Sequence, residues 1–122
     1  MVKKLNQGQK GFTLIELLIV MGILSILAVL IVPRFINFLD QAKVQAHNAN
    51  VVMLEQAVEL AYVAGDITAT ATESSDIVDT LISKGYIKEN PDCPVDTTQK
   101  YTAKVQLDAN KILQITVTPA KE

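Results

Sequence analysis

The side chains that most often carry chemistry are scarce in this sequence of 122 residues, which has one His, His47, and one Cys, Cys93. A single Cys excludes an internal disulfide framework and a cysteine-based zinc site. Glu55 and Glu59 lie four residues apart, as half of a metal site would. Acidic pairs on solvated helix faces are commoner, however, and no further ligand residues accompany this one. We therefore expect no catalytic residue, no metal and no cofactor, with His47 on a solvated helix face and Cys93 buried.

Glu16 is the carboxylate in the most unusual setting. It lies within Phe12 to Val32, a stretch of 21 residues in which it carries the only charge. As an α-helix this stretch would be about 31 Å long, which matches a hydrocarbon core of about 30 Å. A carboxylate in a membrane helix costs a few kcal/mol, so it is a functional residue by default and needs a cationic partner. The alternative is that Glu16 lies shallowly enough to reach the headgroups and has no role.

The apolar stretch is flanked in a way that predicts its orientation and its retention. Lys3, Lys4 and Lys10 precede it, and positive charge before a first apolar segment holds that end in the cytoplasm. A secretory signal has a shorter apolar region of roughly 7–15 residues and a small-residue cleavage site. Here the stretch is longer and runs into Pro33 and Arg34. This favours a membrane helix that is retained over a signal that is removed.

The residues around Glu16 carry a resemblance. Lys10-Gly11-Phe12-Thr13-Leu14-Ile15-Glu16, behind a short basic leader and followed by apolar residues to Pro33, resembles the type IV pilin family, which includes the pseudopilins of type II secretion and DNA uptake. The match is specific and covers the first third of the chain. Beyond Pro33 the similarity is one of architecture alone.

The resemblance implies a processing site and a role for Glu16. In the family a prepilin peptidase of the membrane cuts after the Gly, here between Gly11 and Phe12, and methylates the new amine, here that of Phe12. Residues 1–11 would then be the leader peptide. In the assembled filament the Glu16 carboxylate would pair with the Phe12 ammonium of a neighbouring subunit and specify axial register, because an unpaired charge at low dielectric is costly. Small residues at Thr13 and Gly22 would let helices approach closely.

One long helix is predicted to position these residues. It runs from Phe12 to Gly65-Asp66, where glycine chemistry ends it, with Pro33 as a kink; the alternative is a helix end at the membrane surface. Residues 12–33 form the transmembrane half, and 34–122 form the helix continuation with a globular headpiece. An apolar stripe at helical spacing follows Pro33, and the apolar face then widens beyond Val51 to take a broader partner. The stripe comprises Phe35, Leu39, Ala42, Ala46, Ala49, Met53, Ala57, Leu60 and Ala64, and the widening adds Val51, Leu54, Val58 and Ala61.

The remaining residues predict a small headpiece. Ser75 is expected to cap a short helix, Asp76 to Lys84, which Gly85 ends. Apolar residues then alternate with polar ones on either side of Asp108-Ala109-Asn110-Lys111, which predicts a β-hairpin. An isolated hairpin is marginal in water, so it must pack on the wide helix face around Met53 to Ala61. The fold class is therefore α+β, with the long N-terminal helix packed on a small antiparallel sheet, the pilin lollipop.

Charge and resemblance together rank the functions. The chain has 11 Lys+Arg against 13 Asp+Glu, and loss of the three leader lysines makes it more acidic, which disfavours direct DNA binding. The resemblance favours a structural subunit that polymerises with copies of itself into an extracellular helical filament for motility, adhesion, biofilm formation or DNA uptake. Its other partners would be prepilin peptidase, the inner-membrane platform, the assembly ATPase and, before assembly, lipid of the cytoplasmic membrane. The alternatives are a pseudopilin of a competence or type II secretion system and, more distantly, a membrane-anchored binding module that never polymerises.

Overall fold

The computed structural model describes residues 11–122, so the leader lysines Lys3, Lys4 and Lys10 lie outside the described residues. Helix α1 spans Leu14–Ala64 and helix α2 spans Val78–Ser83. Strands β1, Thr102–Leu107, and β2, Leu113–Thr118, follow in an antiparallel pair. The predicted α+β class, with one long N-terminal helix and a small antiparallel sheet, is confirmed.

The chain divides into two compact units, of which the first ends at Phe38 and the second is Leu39–Glu122. All described residues of the first unit are exposed, including its long series of Leu, Ile and Val side chains. By length and composition α1 is able to cross a membrane. It also continues through Pro33, so the alternative of a helix end at this proline is wrong. The kink at Pro33 stays a prediction.

The core of the second unit joins one face of α1 to the inner face of the hairpin. Four helix residues that predicted the wider face, Val51, Leu54, Val58 and Ala61, are all buried there. They share one cluster with α2 and with hairpin residues that alternate along the strands: Tyr101, Ala103, Val105 and Val117.

The nine-residue stripe is not this packing face, apart from Ala57. Its other members, from Phe35 to Ala64, are exposed, and Met53 and Leu60 keep 40% and 62% of their surface. The buried face lies about 100° further round the helix, which is the rotation from one residue to the next at 3.6 residues per turn. The expectation that the headpiece packs on the wide face around Met53 to Ala61 is confirmed by the burial of Leu54, Ala57, Val58 and Ala61, whereas Met53 itself stays exposed.

The hairpin has the predicted strands and turn. Ala103 lies opposite Val117 and Val105 opposite Ile115. At the turn the Asp108 carboxylate accepts hydrogen bonds from the backbone N–H groups of Asn110 and Ile112, at 2.8 and 2.9 Å. This carboxylate explains why a sequence without glycine can make the turn, since Asp stabilises such turns through its own side chain.

Strand β1 has a second neighbour that the sequence did not predict. The segment 70–77, which bends at Ala71 and Thr72, runs along its other edge, where Ser74 N–H donates to the Val105 carbonyl at 2.9 Å and Leu107 N–H donates to the Thr70 carbonyl at 2.7 Å. Two side chains complete this edge: Ser74 Oγ accepts from Val105 N–H and Asp76 Oδ1 accepts from Ala103 N–H. Both edges of β1 are thus paired.

Glycine ends both helices as predicted. Gly65 and Gly85 have φ values of +81° and +82°. After Gly85, Tyr86 N–H donates to the Leu81 carbonyl and Gly85 N–H to the Ile82 carbonyl, and α1 ends with the equivalent pair of bonds. This is the Schellman arrangement, in which a left-handed residue lets the last carbonyls of a helix be satisfied.

The start of α2 differs from the prediction. The helix begins at Val78, and Ser75 makes no capping bond to it. The Asp76 carboxylate instead accepts from Val78 N–H at 3.2 Å. The same oxygen accepts from Ala103 N–H on β1. Asp76 therefore binds both the start of α2 and the edge of β1.

Candidate functional site at the start of the long helix

The first turn of α1 is built by two side chains that bind each other's backbone. Thr13 precedes the helix, and its Oγ1 accepts from Glu16 N–H at 3.2 Å. Glu16 Oε2 in turn accepts from Thr13 N–H at 2.9 Å and from the Thr13 hydroxyl at 3.0 Å. This is a capping box, which satisfies backbone N–H groups that have no partner within the helix.

The capping box changes the interpretation of Thr13. The sequence suggested a small residue that lets helices approach, whereas the structure shows Thr13 as the N-cap of α1. The signal was present, because Thr followed three residues later by Glu before an apolar run marks a helix start. Glu16 therefore has two uses, as a charge in an apolar stretch and as a capping residue.

One carboxylate oxygen of Glu16 has no hydrogen bond among the described residues. Oε2 takes both bonds from Thr13, and Oε1 makes no hydrogen bond to any residue in 11–122. The ion pairs found in this part of the chain all lie in the headpiece, and none includes Glu16. Arg34 lies 18 residues further along the same helix, about 27 Å away by helical rise. A cationic partner for Glu16 is therefore not supplied by the described residues.

Gly11 and Phe12 lie just before the helix in an exposed, irregular segment. A side chain added at Gly11 would meet nothing within 4 Å, and Phe12 keeps 85% of its surface. Packing against residues 12–122 thus imposes no requirement for glycine at position 11. The geometry is compatible with a protease site, although the cleavage itself stays a prediction.

His47 is not on a solvated surface, and that prediction is wrong. Its side chain is 1% exposed and its ring stacks on that of Tyr101 with centroids 5.6 Å apart. Nδ1 lies 2.8 Å from the Tyr101 hydroxyl and Nε2 lies 2.7 Å from the Ala120 carbonyl. Because a carbonyl can only accept, Nε2 donates to Ala120, and in the neutral ring Nδ1 then accepts from the Tyr101 hydroxyl.

Cys93 joins this buried pair, and its predicted burial is confirmed at 1% exposure. Its Sγ lies 3.6 Å from His47 Nδ1. Burial raises the pKa of the Tyr101 phenol, and the adjacent Cys93 thiol acts in the same direction. With all three side chains closed off from solvent, the cluster fastens α1 to the chain just before β1 and is not an open catalytic site.

Residues 120–122, which we call the strap, are held by three side chains of α1. His47 binds the Ala120 carbonyl. The Asn48 amide donates to the Glu122 carbonyl at 3.1 Å and accepts from Glu122 N–H at 3.0 Å. Lys121 Nζ lies 2.7 Å from Glu55 Oε2. Glu55 is therefore engaged in the strap, while Glu59 is exposed, and no group of metal-ligating residues is found in the described part of the chain.

Comparison with known proteins agrees with the sequence motif around the first turn of α1. The sequence profile of the prokaryotic N-terminal methylation motif matches residues 6–32. The chain is 31% identical over 111 residues to the type II secretion system core protein G of Pseudomonas aeruginosa, which covers 80% of this chain and 76% of the relative. It is 44% identical over 69 residues to the type IV narrow pilus major component PilA5 of Thermus thermophilus, covering 57% of this chain and 56% of the relative. No solved structure matches.

A long exposed apolar helix with a capped carboxylate in its first turn, joined to a small sheet, defines a pilin-like protein. The chain belongs to the type IV pilin family, whose members among its relatives include type IV pilins and type II secretion pseudopilins. The chain spans about half the length of the Thermus relative and 26% of the major pilin PilA of Myxococcus xanthus.

Proposed function

We propose that this chain is a structural subunit that polymerises into a type IV filament after cleavage between Gly11 and Phe12 and N-methylation of Phe12. The proposal rests on the hydrogen bonding of the Glu16 carboxylate. The carboxylate is fixed by Thr13 at the start of an apolar helix and keeps Oε1 without a partner among residues 11–122. A cation supplied by another subunit would pair with this free carboxylate oxygen.

The exposed apolar surface of the first unit supports the same function. Leu and Ile side chains from Leu14 to Ile31 keep roughly half or more of their surface. Each such side chain favours removal from water by about 1.5–3 kcal/mol, so this segment requires a lipid or protein environment. Lipid of the cytoplasmic membrane would serve the precursor, and packed helices of other copies would serve the filament.

The Phe12 ammonium is the cation best suited to Glu16. Cleavage after Gly11 would create a positive charge four residues before Glu16, in the same apolar surroundings, and N-methylation keeps that charge. An amine and a carboxylate removed from water must pair, because either alone costs several kcal/mol. Pairing between neighbours would then fix the axial step of the filament.

Partners and location follow from this assignment. The precursor would cross the cytoplasmic membrane once, with its N-terminus inside. It would meet prepilin peptidase, an inner-membrane platform and an assembly ATPase before it leaves the membrane as part of a surface filament. The acidic balance of the chain, 13 Asp+Glu against 11 Lys+Arg, gives no support to direct DNA binding.

A pseudopilin is the second candidate. The alignment with the core protein G of Pseudomonas aeruginosa covers 80% of this chain, more than the 57% matched by the Thermus pilin. The same assembly chemistry would then serve secretion or DNA uptake from a short filament. Recovery of long fibres by shearing intact cells distinguishes a pilin, whereas filaments that remain with the cell envelope favour the pseudopilin.

The test replaces Glu16 by Gln and by Ala, with Glu59→Gln as the matched control on an exposed carboxylate of the same helix. We expect both Glu16 variants to insert in the membrane and to lose their leader, but to yield few filaments. Glu59→Gln is expected to assemble normally. Normal filaments from Glu16→Ala would overturn the pairing mechanism.

A further inference from the structure

Strand β2 has one edge without backbone partners. On β1, Val105 binds Ser74 through both its N–H and its carbonyl, and so points away from β2. Its opposite residue on β2, Ile115, therefore points its own backbone groups away from the sheet, as do Leu113 and Val117, because these groups alternate along a strand. On that side none of the three has a backbone hydrogen bond to residues 11–122.

An open edge of this kind normally requires protection. A strand of another molecule is able to pair with it, so proteins protect such edges with lysine, proline, a bulge or a covering segment. Strand β2 itself, Leu113–Thr118, contains no charged residue and no proline. Ile115 is half-buried, whereas Val117 keeps only 5% of its surface. The residues that cover the edge therefore lie near Val117.

A groove of about 330 Å³ adjoins this end of β2. A strand that paired with the open edge would lie about 4.8 Å from β2, which is within the groove. The groove is bordered by residues of β2, α1 and the strap: Ile115, Thr116, Val117, Val51, Glu55, Ala120 and Lys121.

The Lys121 side chain lies along this groove. The strap is held at Asn48, which binds both main-chain groups of Glu122. Glu55 lies seven residues further along α1, about 10 Å away by helical rise. Since Lys121 Nζ is 2.7 Å from Glu55 Oε2, the lysine side chain extends from the strap along α1 towards Glu55. The ion pair and a strand beside β2 would therefore compete for the same space.

We propose that the Lys121–Glu55 ion pair guards the open edge of β2 and prevents a strand of a second copy from pairing there. The groove is thus occupied by the strap of the same chain. Both side chains are partly exposed, at 45% and 37%, so the pair is weak and reversible. The guard acts in the single subunit and goes beyond the proposed function, since it does not depend on filament assembly.

The first test removes the ion pair from the full-length chain in detergent. Lys121→Met keeps an unbranched side chain of similar length without the charge, and Glu55→Gln removes the pair from the side of α1. Thr116→Cys, on the exposed face of β2, is added to each variant, and joined sheets are trapped with a short bifunctional thiol reagent. We expect at least about threefold more covalent dimer than from Thr116→Cys alone, as the strength of an exposed ion pair implies.

Two controls show whether the dimers form through the edge. Lys88→Met removes the charge of an exposed lysine that has no ion pair with residues 11–122, and it should give no increase. Ile115→Pro, added to Lys121→Met, deletes an outward N–H and should abolish the increase, whereas Ile115→Ala keeps the donor and should preserve it. Equal yields from Lys121→Met and Lys88→Met would overturn the proposal, as would an increase that survives Ile115→Pro.

A second measurement needs neither a proline nor a cross-linker. The Ile115 amide has no acceptor among residues 11–122, so its hydrogen should exchange rapidly in the unmodified chain at any protein concentration. In Lys121→Met we expect this exchange to slow at least about threefold as the concentration rises, because a second copy then supplies the acceptor. Exchange that is independent of concentration in both Lys121→Met and Glu55→Gln would overturn the guard and leave the filament function intact.

Discussion

At the scale of the residue, Glu16 and Thr13 act together. The carboxylate caps α1 through Oε2 and leaves Oε1 without a hydrogen bond among residues 11–122, so the cap holds the carboxylate in one orientation. A carboxylate near a helix N-terminus is also stabilised by the helix dipole. A neighbouring hydroxyl therefore orients the carboxylate that we propose for assembly before any second subunit arrives.

Thr13→Val should reveal this orientation. The substitution keeps the shape of Thr but removes the hydroxyl, at a cost of about 1 kcal/mol at the helix start. We expect filament yield to fall about fivefold, less than for Glu16→Ala, with membrane insertion unchanged. Thr13→Ser keeps the hydroxyl and should assemble normally. Equal yields from the Val and Ser variants would show that the cap has no part in assembly.

His47→Leu should destabilise the headpiece because it leaves buried polar groups without partners. Tyr101 and Ala120 would each lose a hydrogen bond, a cost of about 2 kcal/mol. We expect Cys93 to react about 30 times faster with a thiol reagent under conditions of rapid opening. The matched control is Asn48→Ala, which loosens the strap but leaves the His47 cluster in place. Unchanged Cys93 reactivity in His47→Leu would contradict this account.

Several of these residue roles could be predicted from the sequence and others could not. The Glu16 motif is local, so its neighbours in sequence were sufficient to identify it. The prediction for His47 was wrong because its partners lie 54 and 73 residues further along the chain. Its polar neighbours on α1 gave no sign of Tyr101 or of the strap.

At the scale of the element, the two helix ends are joined to each other. Asp66, just after α1, accepts from Lys84 Nζ at 2.9 Å and from the Tyr86 hydroxyl at 2.7 Å, both at the end of α2. These bonds lower the pKa of the Asp66 carboxyl and raise the pKa of the Tyr86 phenol. One carboxylate thus fixes the ends of both helices.

This junction should make stability depend on pH in two directions. A lowered carboxyl pKa contributes stability above the unfolded value of about 4, which is lost as pH falls through the folded pKa. A raised phenol pKa contributes stability below the unfolded value of about 10, which is lost as pH rises through the folded pKa. We expect Asp66→Asn to reduce both dependences in thermal unfolding of the full chain in detergent.

Asp96→Asn is the control for the acid arm. Hydrogen bonds from Thr98 and Gln99 lower the pKa of Asp96 as well, but no phenol is involved. This variant should therefore reduce the acid dependence alone. An alkaline dependence that survives in Asp66→Asn would mean that the Tyr86 bond contributes nothing.

Gly85→Ala tests the end of α2 through the backbone. An added Cβ would meet nothing within 4 Å, so the cost is that of a left-handed conformation, about 1–2 kcal/mol. We expect a lower midpoint of thermal unfolding, and a smaller loss in Gly85→Asn because Asn tolerates this conformation. A midpoint equal to that of the unmodified chain would show that α2 ends without a left-handed residue.

The elements themselves followed from pattern, as did the residues that widen the apolar face of α1, whereas the exposure of the nine-residue stripe did not. Alternation predicted the hairpin and glycine predicted both helix ends. Beyond Phe35, however, α1 is apolar on two neighbouring faces, and periodicity alone cannot say which one meets the sheet. The branched residues Val51, Leu54 and Val58 filled the core, and the alanine-rich face stayed exposed.

At the scale of the whole molecule, processing should convert a membrane protein into a building block. We expect the native protein from sheared fibres to have the intact mass of a chain that begins at methylated Phe12. Gly11→Val should keep its leader and remain in the membrane, although nothing in the described chain contacts a side chain at that position. Fibres made of chains that begin at Met1 would contradict the processing step.

The way in which the strap is fastened has a consequence for surface variation. His47 and Asn48 bind only the main chain of Ala120 and Glu122, so the identity of the side chains at these two places is immaterial to the attachment. On the surface filament that we propose, a lineage under pressure from antibodies or phage could change them without loosening the headpiece. The same tolerance offers the protein engineer two positions for dyes or affinity groups on a repeating coat.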